Sequence, residues 1–309
     1  MLWRYIFFRV LMLIPVSFSI SVVIFMIVHL LPGDPIDNLI RVGSSPDDRA
    51  ALITKYGLDQ PLAIQYLRWI GAMFQGDFGE AIVLRRPVAD LIAQNLPYSL
   101  ALGGLAFAFS SIVGIILGTI SATTRSKIVE QFMRGFILLG STVPGFWLAL
   151  LMILFFAVQL QWFPVSGAGG WSALVLPVLT IGFGGVALVA RVTRVALLDV
   201  KREDFVMLLH AKGLPSYKIL FGHLMPHALL PVVTILALRI GWILGGAVTV
   251  EFVFGRPGLG SLLIRALGQR DYPVVQGCLL MLALAVMLGT LIGDVAQAAM
   301  DPRIREAKT

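Results

Sequence analysis

Long apolar runs alternate with short polar connections along this chain, and the runs have the length of membrane crossings. Val10 to Leu31 is the first, and at about 1.5 Å of rise per residue a helix of that length covers a hydrocarbon core about 30 Å thick. Further runs extend from Tyr98 to Ala122, Gly135 to Val158, Leu174 to Leu197, Leu230 to Val250 and Val274 to Ala299. The expectation is an all-α polytopic membrane protein with six transmembrane helices and both termini on one side. The first run follows Arg4 and Arg9, exceeds the length of a signal-peptide core and is followed by no small-residue cleavage site. It therefore reads as an uncleaved first helix.

Two polar regions interrupt the pattern. Pro32 to Pro97 carries its own punctuation, with helix starts at Ser45-Pro46 and at Pro61, and reads as a small folded extracytoplasmic cap. The other is the connection from Leu198 to Leu229, and with the first residues of the next run it forms a polar island, Arg202 to Pro231, between strongly apolar spans. Lys212-Gly213 has the form of a helix end, a cation followed by a residue that takes positive φ, and Pro215 suits the start of a second helix. Spacing at i, i+3 and i+4 puts Phe205, Leu208 and Leu209 on one face of the first helix, and Ile219, Leu220 and Leu224 on one face of the second. A short helix-turn-helix outside the bilayer is predicted.

Composition supports the membrane reading. Hydrophobic residues make up 58% and charged residues 13%, against about 25% charged in soluble domains; the mean hydropathy is +0.90. The formal charge of +7 comes from Lys and Arg at the ends of apolar spans, with no basic stripe interleaved with aromatics, so no nucleic-acid partner is implied. Arg4, Arg9, Arg125, Lys127, Arg134, Arg191, Arg194, Lys201, Arg202, Lys212, Lys218, Arg303, Arg305 and Lys308 collect on one side, which makes both termini and the island cytoplasmic. Cys278 is the only cysteine, so there is no disulfide framework and no cysteine cluster for a metal.

No phosphate-loop motif, HExxH or GxSxG occurs, and His29, His210, His223 and His227 are not grouped as metal ligands. No catalytic, cofactor or metal residue is therefore assigned. What does stand out is a series of peptides: Gly33-Asp34-Pro35, Gly57 to Leu62, Gly76-Asp77-Phe78-Gly79, then Ser141, Pro144, Phe146 and Trp147, and Arg191, Thr193 and Arg194. The island adds Glu203, Asp204, Phe205, Ala211, Lys212, Gly213, His223, Leu229, Leu230 and Pro231. Glu251, Phe254 and Pro257 to Gly260, Arg270 to Val274, and Asp301-Pro302-Arg303 complete it. Taken alone, Arg191 and Arg194 read as snorkelling anchors and Pro257 to Gly260 as a turn; Gly182, Gly184, Gly185, Gly241, Gly245 and Gly246 read as small-residue helix contacts.

In order and spacing, these peptides resemble the permease subunits of ATP-binding-cassette (ABC) importers of the dipeptide/oligopeptide/nickel class. Pro226 and His227 replace an Arg-Asn pair of that class, and Met207, Leu208 and Leu209 stand where it has Glu-Ala-Ala. The resemblance implies a bacterial inner-membrane subunit that is not itself an enzyme. Its expected partners are a second homologous permease, two ATPase subunits that bind ATP and Mg²⁺, an extracytoplasmic solute-binding protein and membrane lipid. It also implies that Glu203, Asp204, Phe205, Ala211, Lys212, Gly213, Leu214 and Pro215 form the coupling loop docked on the ATPase, during alternating access for peptides or similar solutes, metal chelates included. A self-sufficient secondary transporter or channel is the alternative. For the island alone, it is a membrane-surface helical hairpin with no partner.

Arg239 and Asp294 are the charges inside the apolar spans. Counted from the predicted span ends they lie about 13 Å and about 9 Å from the cytoplasmic edge. That leaves three readings: the two pair, Arg239 lines the solute path, or each snorkels separately to the interface.

Overall fold

The structure, a computed structural model, describes residues 2–30, 50, 53–54 and 59–300, the side chains of residues 2, 28, 29, 242–244 and 300 excepted. The peptides Gly33-Asp34-Pro35, Ser45-Pro46, Gly57-Leu58 and Asp301-Pro302-Arg303 lie outside the described residues. The helices are α1 (Leu2–Leu30), α2 (Leu62–Phe74), α3 (Val88–Thr123), α4 (Lys127–Thr142), α5 (Gly145–Met152), α6 (Ser172–Val200), α7 (Asp204–Ala211), α8 (Ser216–Ile219), α9 (Met225–Val253), α10 (Leu259–Gln269) and α11 (Tyr272–Met300). A π-helical stretch, Ile153–Gln159, prolongs α5, and a second, Leu220–Leu224, joins α8 to α9. Among the described residues there is no strand, only an isolated bridge between Glu80 and Pro87.

Among the described residues, five helical runs are long and apolar enough to cross a membrane, and α4 with α5 gives a sixth if that pair is one crossing. The pair is bent by 110°, so the predicted span from Gly135 to Val158 is not a straight rod. Pro144 causes the break: it has no N–H to continue the helix, and it holds the preceding Val143 in extended backbone (φ −73°, ψ 122°). The first helix also starts earlier than its apolar run, since backbone hydrogen bonding continues through Arg4 and Arg9 to Leu2.

The chain falls into two compact units, Met1–Arg9 with Leu100–Arg256 and Val286–Thr309, and Val10–Ser99 with Pro257–Ala285. In the first, α6 is the enclosed helix, with Leu176, Val186, Ala187, Val189, Ala190 and Leu197 all buried. Gly114 and Gly118 let α3 lie directly on it; a Cβ at Gly114 would come within 2.6 Å of Val189 Cβ. Two positions away, about 200° around the helix, Ile112, Ile116 and Ile120 are exposed, as a lipid-facing stripe requires. Helices α9 and α11 meet in the same way, with a Cβ on Gly289 falling 3.1 Å from Gly241 Cα and one on Gly293 overlapping the Ala237 backbone. Of the glycines read as helix contacts, Gly182, Gly184, Gly185 and Gly241 are close to a neighbour, whereas Gly245 and Gly246 face nothing within 4 Å.

The second unit explains three of the peptides that stood out. Its core joins Val88, Leu91 and Ile92 of α3 to Leu259, Leu262 and Leu263 of α10 and to Val274, Val275 and the buried Cys278 of α11. Pro257 to Gly260 is more than a turn, because it opens α10. The Gly258 and Leu259 N–H groups there donate to Asn95 Oδ1 (3.1 Å) and Ser99 Oγ (2.8 Å), one turn apart on α3. Arg270 ends α10 in left-handed backbone (φ 55°), and the buried Asp271 accepts the Val83 N–H at 2.9 Å, fixing the loop that follows Gly76-Asp77-Phe78-Gly79. On α2, Tyr66 reaches Ser21 on α1 through a 2.7 Å hydroxyl contact and packs with Phe25 and Trp69.

Candidate coupling site

The polar island folds as α7, a turn and α8. Helix α7 ends in a Schellman motif: the Gly213 N–H donates to the His210 carbonyl (2.9 Å) and the Leu214 N–H to the Leu209 carbonyl (3.3 Å), with Gly213 at φ 76°. Leu209 and Leu214, the side chains that such a motif brings together, both pack against one apolar cluster. Pro215 then starts α8 in extended backbone (φ −68°, ψ 145°). The predicted helix end at Lys212-Gly213 and the restart at Pro215 are both present.

The base of the turn is well packed. Val206, Ile219 and Leu224 are buried against Ala122 at the end of α3, Ala196 and Leu197 of α6, and Ala228 of α9. Lys201 Nζ donates to the Ala122 carbonyl at 3.0 Å, a cation placed where the end of α3 presents unsatisfied carbonyls. The second helix is not a separate hairpin arm; through the π stretch it runs on into α9.

The inward face of α7 differs from the predicted one. Val206 and Leu209 turn in, while Phe205, Met207 and Leu208 are exposed. Both sets satisfy helical spacing, and the neighbouring helix ends chose between them. Phe205 packs against His227 at 5.6 Å between ring centroids with the planes tilted by 55°, so His227 takes part in an aromatic contact. Glu203, Asp204, Phe205, Ala211, Lys212, Gly213 and Pro215 are all on the surface, and Leu214 is half-buried beneath them. The outcome is an exposed apolar and charged ridge on a buried apolar base.

Arg194 of α6 is not a snorkelling anchor: its Nη2 lies 2.6 Å from Glu130 on α4, which also binds Arg134 at 2.9 Å. Arg191 Nη2 donates to Ser141 Oγ at 3.4 Å.

Asp294 and Arg239 do not pair. Asp294 Oδ2 is held at 2.8 Å by Arg9 Nη1, and Arg9 in turn donates from Nε to the Tyr5 hydroxyl at 3.1 Å. Depth along two helices fixes height but not direction. Arg239 lies two residues from both Ala237 and Gly241, the positions on α9 that face α11, and therefore points to the side of α9 opposite that contact. Arg9 went unrecognised as the partner because the apolar run placed it outside the helix. Its position seven residues into α1 and that of Asp294 six from the end of α11 correspond to about 10 Å and about 9 Å, and that match was the available signal.

Residues 114–306 match the family described as binding-protein-dependent transport system inner membrane component, and residues 1–103 match its N-terminal counterpart. The chain belongs to this family: it is an inner-membrane permease of an ABC importer, a multi-pass transport subunit. Among curated proteins it is 39% identical over 306 residues to the glutathione transport system permease protein GsiC of Escherichia coli strain K12, covering 98% of this chain and 99% of that one. The GsiC of Shigella flexneri serotype 5b matches at the same identity and coverage. Among solved structures, an inward-facing MetNI methionine ABC transporter has the same fold at a TM-score of 0.58 and 21% identity, covering 68% of this chain and 96% of that one. An amino acid ABC transporter follows at a TM-score of 0.52 and 16% identity, covering 69% and 94%.

Proposed function

We propose that this permease carries small peptides, glutathione among them, along a path formed with a second homologous permease. An extracytoplasmic binding protein delivers the solute. Separate ATPase subunits, which hold ATP and Mg²⁺, drive the change between outward- and inward-open states by pressing on the ridge formed by Glu203, Asp204, Phe205 and Ala211 to Pro215. Both termini and this ridge lie on the cytoplasmic side.

The observation that carries the mechanism is the ridge itself: exposed Phe205, Met207, Leu208 and Lys212 stand on a base locked to three spanning helices. A push there reaches α3, α6 and α9 together, whereas a hairpin lying on the membrane would not be bolted to them. The solute class rests on the end-to-end similarity to permeases named for glutathione. Purification in mild detergent tests the mechanism, and reconstitution tests the solute. Co-isolation of an ATPase, with uptake of labelled glutathione or tri-alanine that needs ATP and the binding protein, is the expected result. Uptake by the chain alone on an ion gradient would sink this reading.

A further inference from the structure

Arg239 is the central residue of the 29-residue α9, and no described residue answers its charge. Among the described residues of the spanning helices, every other charged side chain lies within the first or last ten residues of its helix. Arg9 and Asp294 neutralise each other. Arg239 has no acidic partner among the described residues, and its Nη1 is buried without a hydrogen-bond acceptor. The guanidinium does not climb towards a membrane surface either. It ends against Gly185, which is close to the middle of α6.

The surroundings are shaped for it. A Cβ on Gly185 would overlap Nη1 and come within 2.6 Å of both Nη2 and Ser110 Cβ, so a glycine clears the slot that the guanidinium occupies. Ser110, buried on α3, donates its hydroxyl proton to the Phe107 carbonyl at 3.0 Å, which leaves the guanidinium as the donor at this position. An unpaired cation at mid-membrane is costly to insert. A protein that keeps one, and packs around it, has a use for an anion at that depth. Lipid headgroups do not reach there, and a planar guanidinium is suited to a carboxylate.

We propose that Arg239 is a carboxylate-binding position in the translocation path, so that the permease itself favours solutes bearing a free carboxylate. The proposal rests on the peptide-import reading above. It requires the Arg239 interaction to form only while solute passes, which is why Arg239 has no acidic partner among the described residues.

The test uses the reconstituted importer with one unchanged binding protein, and tri-alanine and glutathione supplied as free acids and as C-terminal amides. With the binding protein constant, a change in acid-to-amide preference belongs to the permease. Arg239→Gln is expected to lower the acid-to-amide uptake ratio about tenfold, the size of one charge-assisted hydrogen bond. Arg239→Lys keeps the charge and should retain most of the preference. Because no internal partner is lost, the Gln complex should assemble and be at least as heat-stable as the parent. An unchanged ratio, or equal loss of acid and amide, overturns the assignment. So does failure of the Gln variant to assemble, since the charge would then be satisfied by another subunit. If the parent takes up none of the four probes, the peptide-import reading falls, and this proposal with it.

Discussion

Gly213 holds the turn between α7 and α8 through its backbone alone, since a Cβ there would meet nothing within 4 Å among the described residues. Its φ of 76° costs a β-branched residue about 1–2 kcal/mol, and Val will therefore tend to reopen the Schellman motif without disturbing the apolar base. Gly213→Val is expected to leave the complex assembled while ATP hydrolysis proceeds with transport greatly reduced; transport at the parental rate would refute the coupling role. At the same scale, the Arg9–Asp294 pair makes a prediction about stability. Arg9→Gln or Asp294→Asn alone strands a partly buried charge, so each should lower the melting temperature of the complex, and the double variant should lose less than the two single losses combined. Strictly additive losses would show that the 2.8 Å contact carries no coupling. Gly213 could be read from the sequence because a lone glycine after a basic residue is a local signal. The Arg9–Asp294 pair could not, since hydropathy ends the first span at its last charge whereas the helix continues past it.

At the scale of elements, two junctions carry the packing. Helix α10 begins on side chains from another helix, so Asn95→Ala and Ser99→Ala each leave a backbone N–H without its acceptor, a loss of about 1–3 kcal/mol if water cannot replace it. Weaker protection of the first turn of α10 in hydrogen exchange is the expected outcome, and unchanged protection would mean that water already serves there. The crossing of α9 and α11 depends on Gly293, where Leu has no room against the Ala237 backbone. Gly293→Leu should abolish assembly of the complex in detergent, whereas Gly245→Leu, at a glycine facing nothing within 4 Å, should be tolerated. The sequence pointed to small-residue contacts but could not choose among its glycines. Spacing fixes which residues share a face of a helix, and only the neighbour decides which face is used; the same ambiguity made Phe205 and Leu208 trade places with Val206 on α7.

For the whole molecule, the orientation inferred from Lys and Arg can be tested in intact cells. Cys278 is buried and should give little background to a membrane-impermeant thiol reagent. Asp77→Cys and Arg265→Cys, both at exposed positions, are expected to label from outside, and Lys212→Cys only after permeabilisation; the reverse pattern would invert the topology. The sequence by itself determined the all-helical membrane fold, the family and the place of the turn at Lys212-Gly213. Apolar run length, glycine and proline punctuation and the order of short peptides are local quantities that do not need a neighbour to be read. Only the tertiary structure decided which partner each charge found: Arg194 took Glu130, Asp294 took Arg9, and Arg239 was left at the slot cleared by Gly185. Pairing depends on the direction a side chain takes from its helix as well as its depth, and that direction is set when the helices pack.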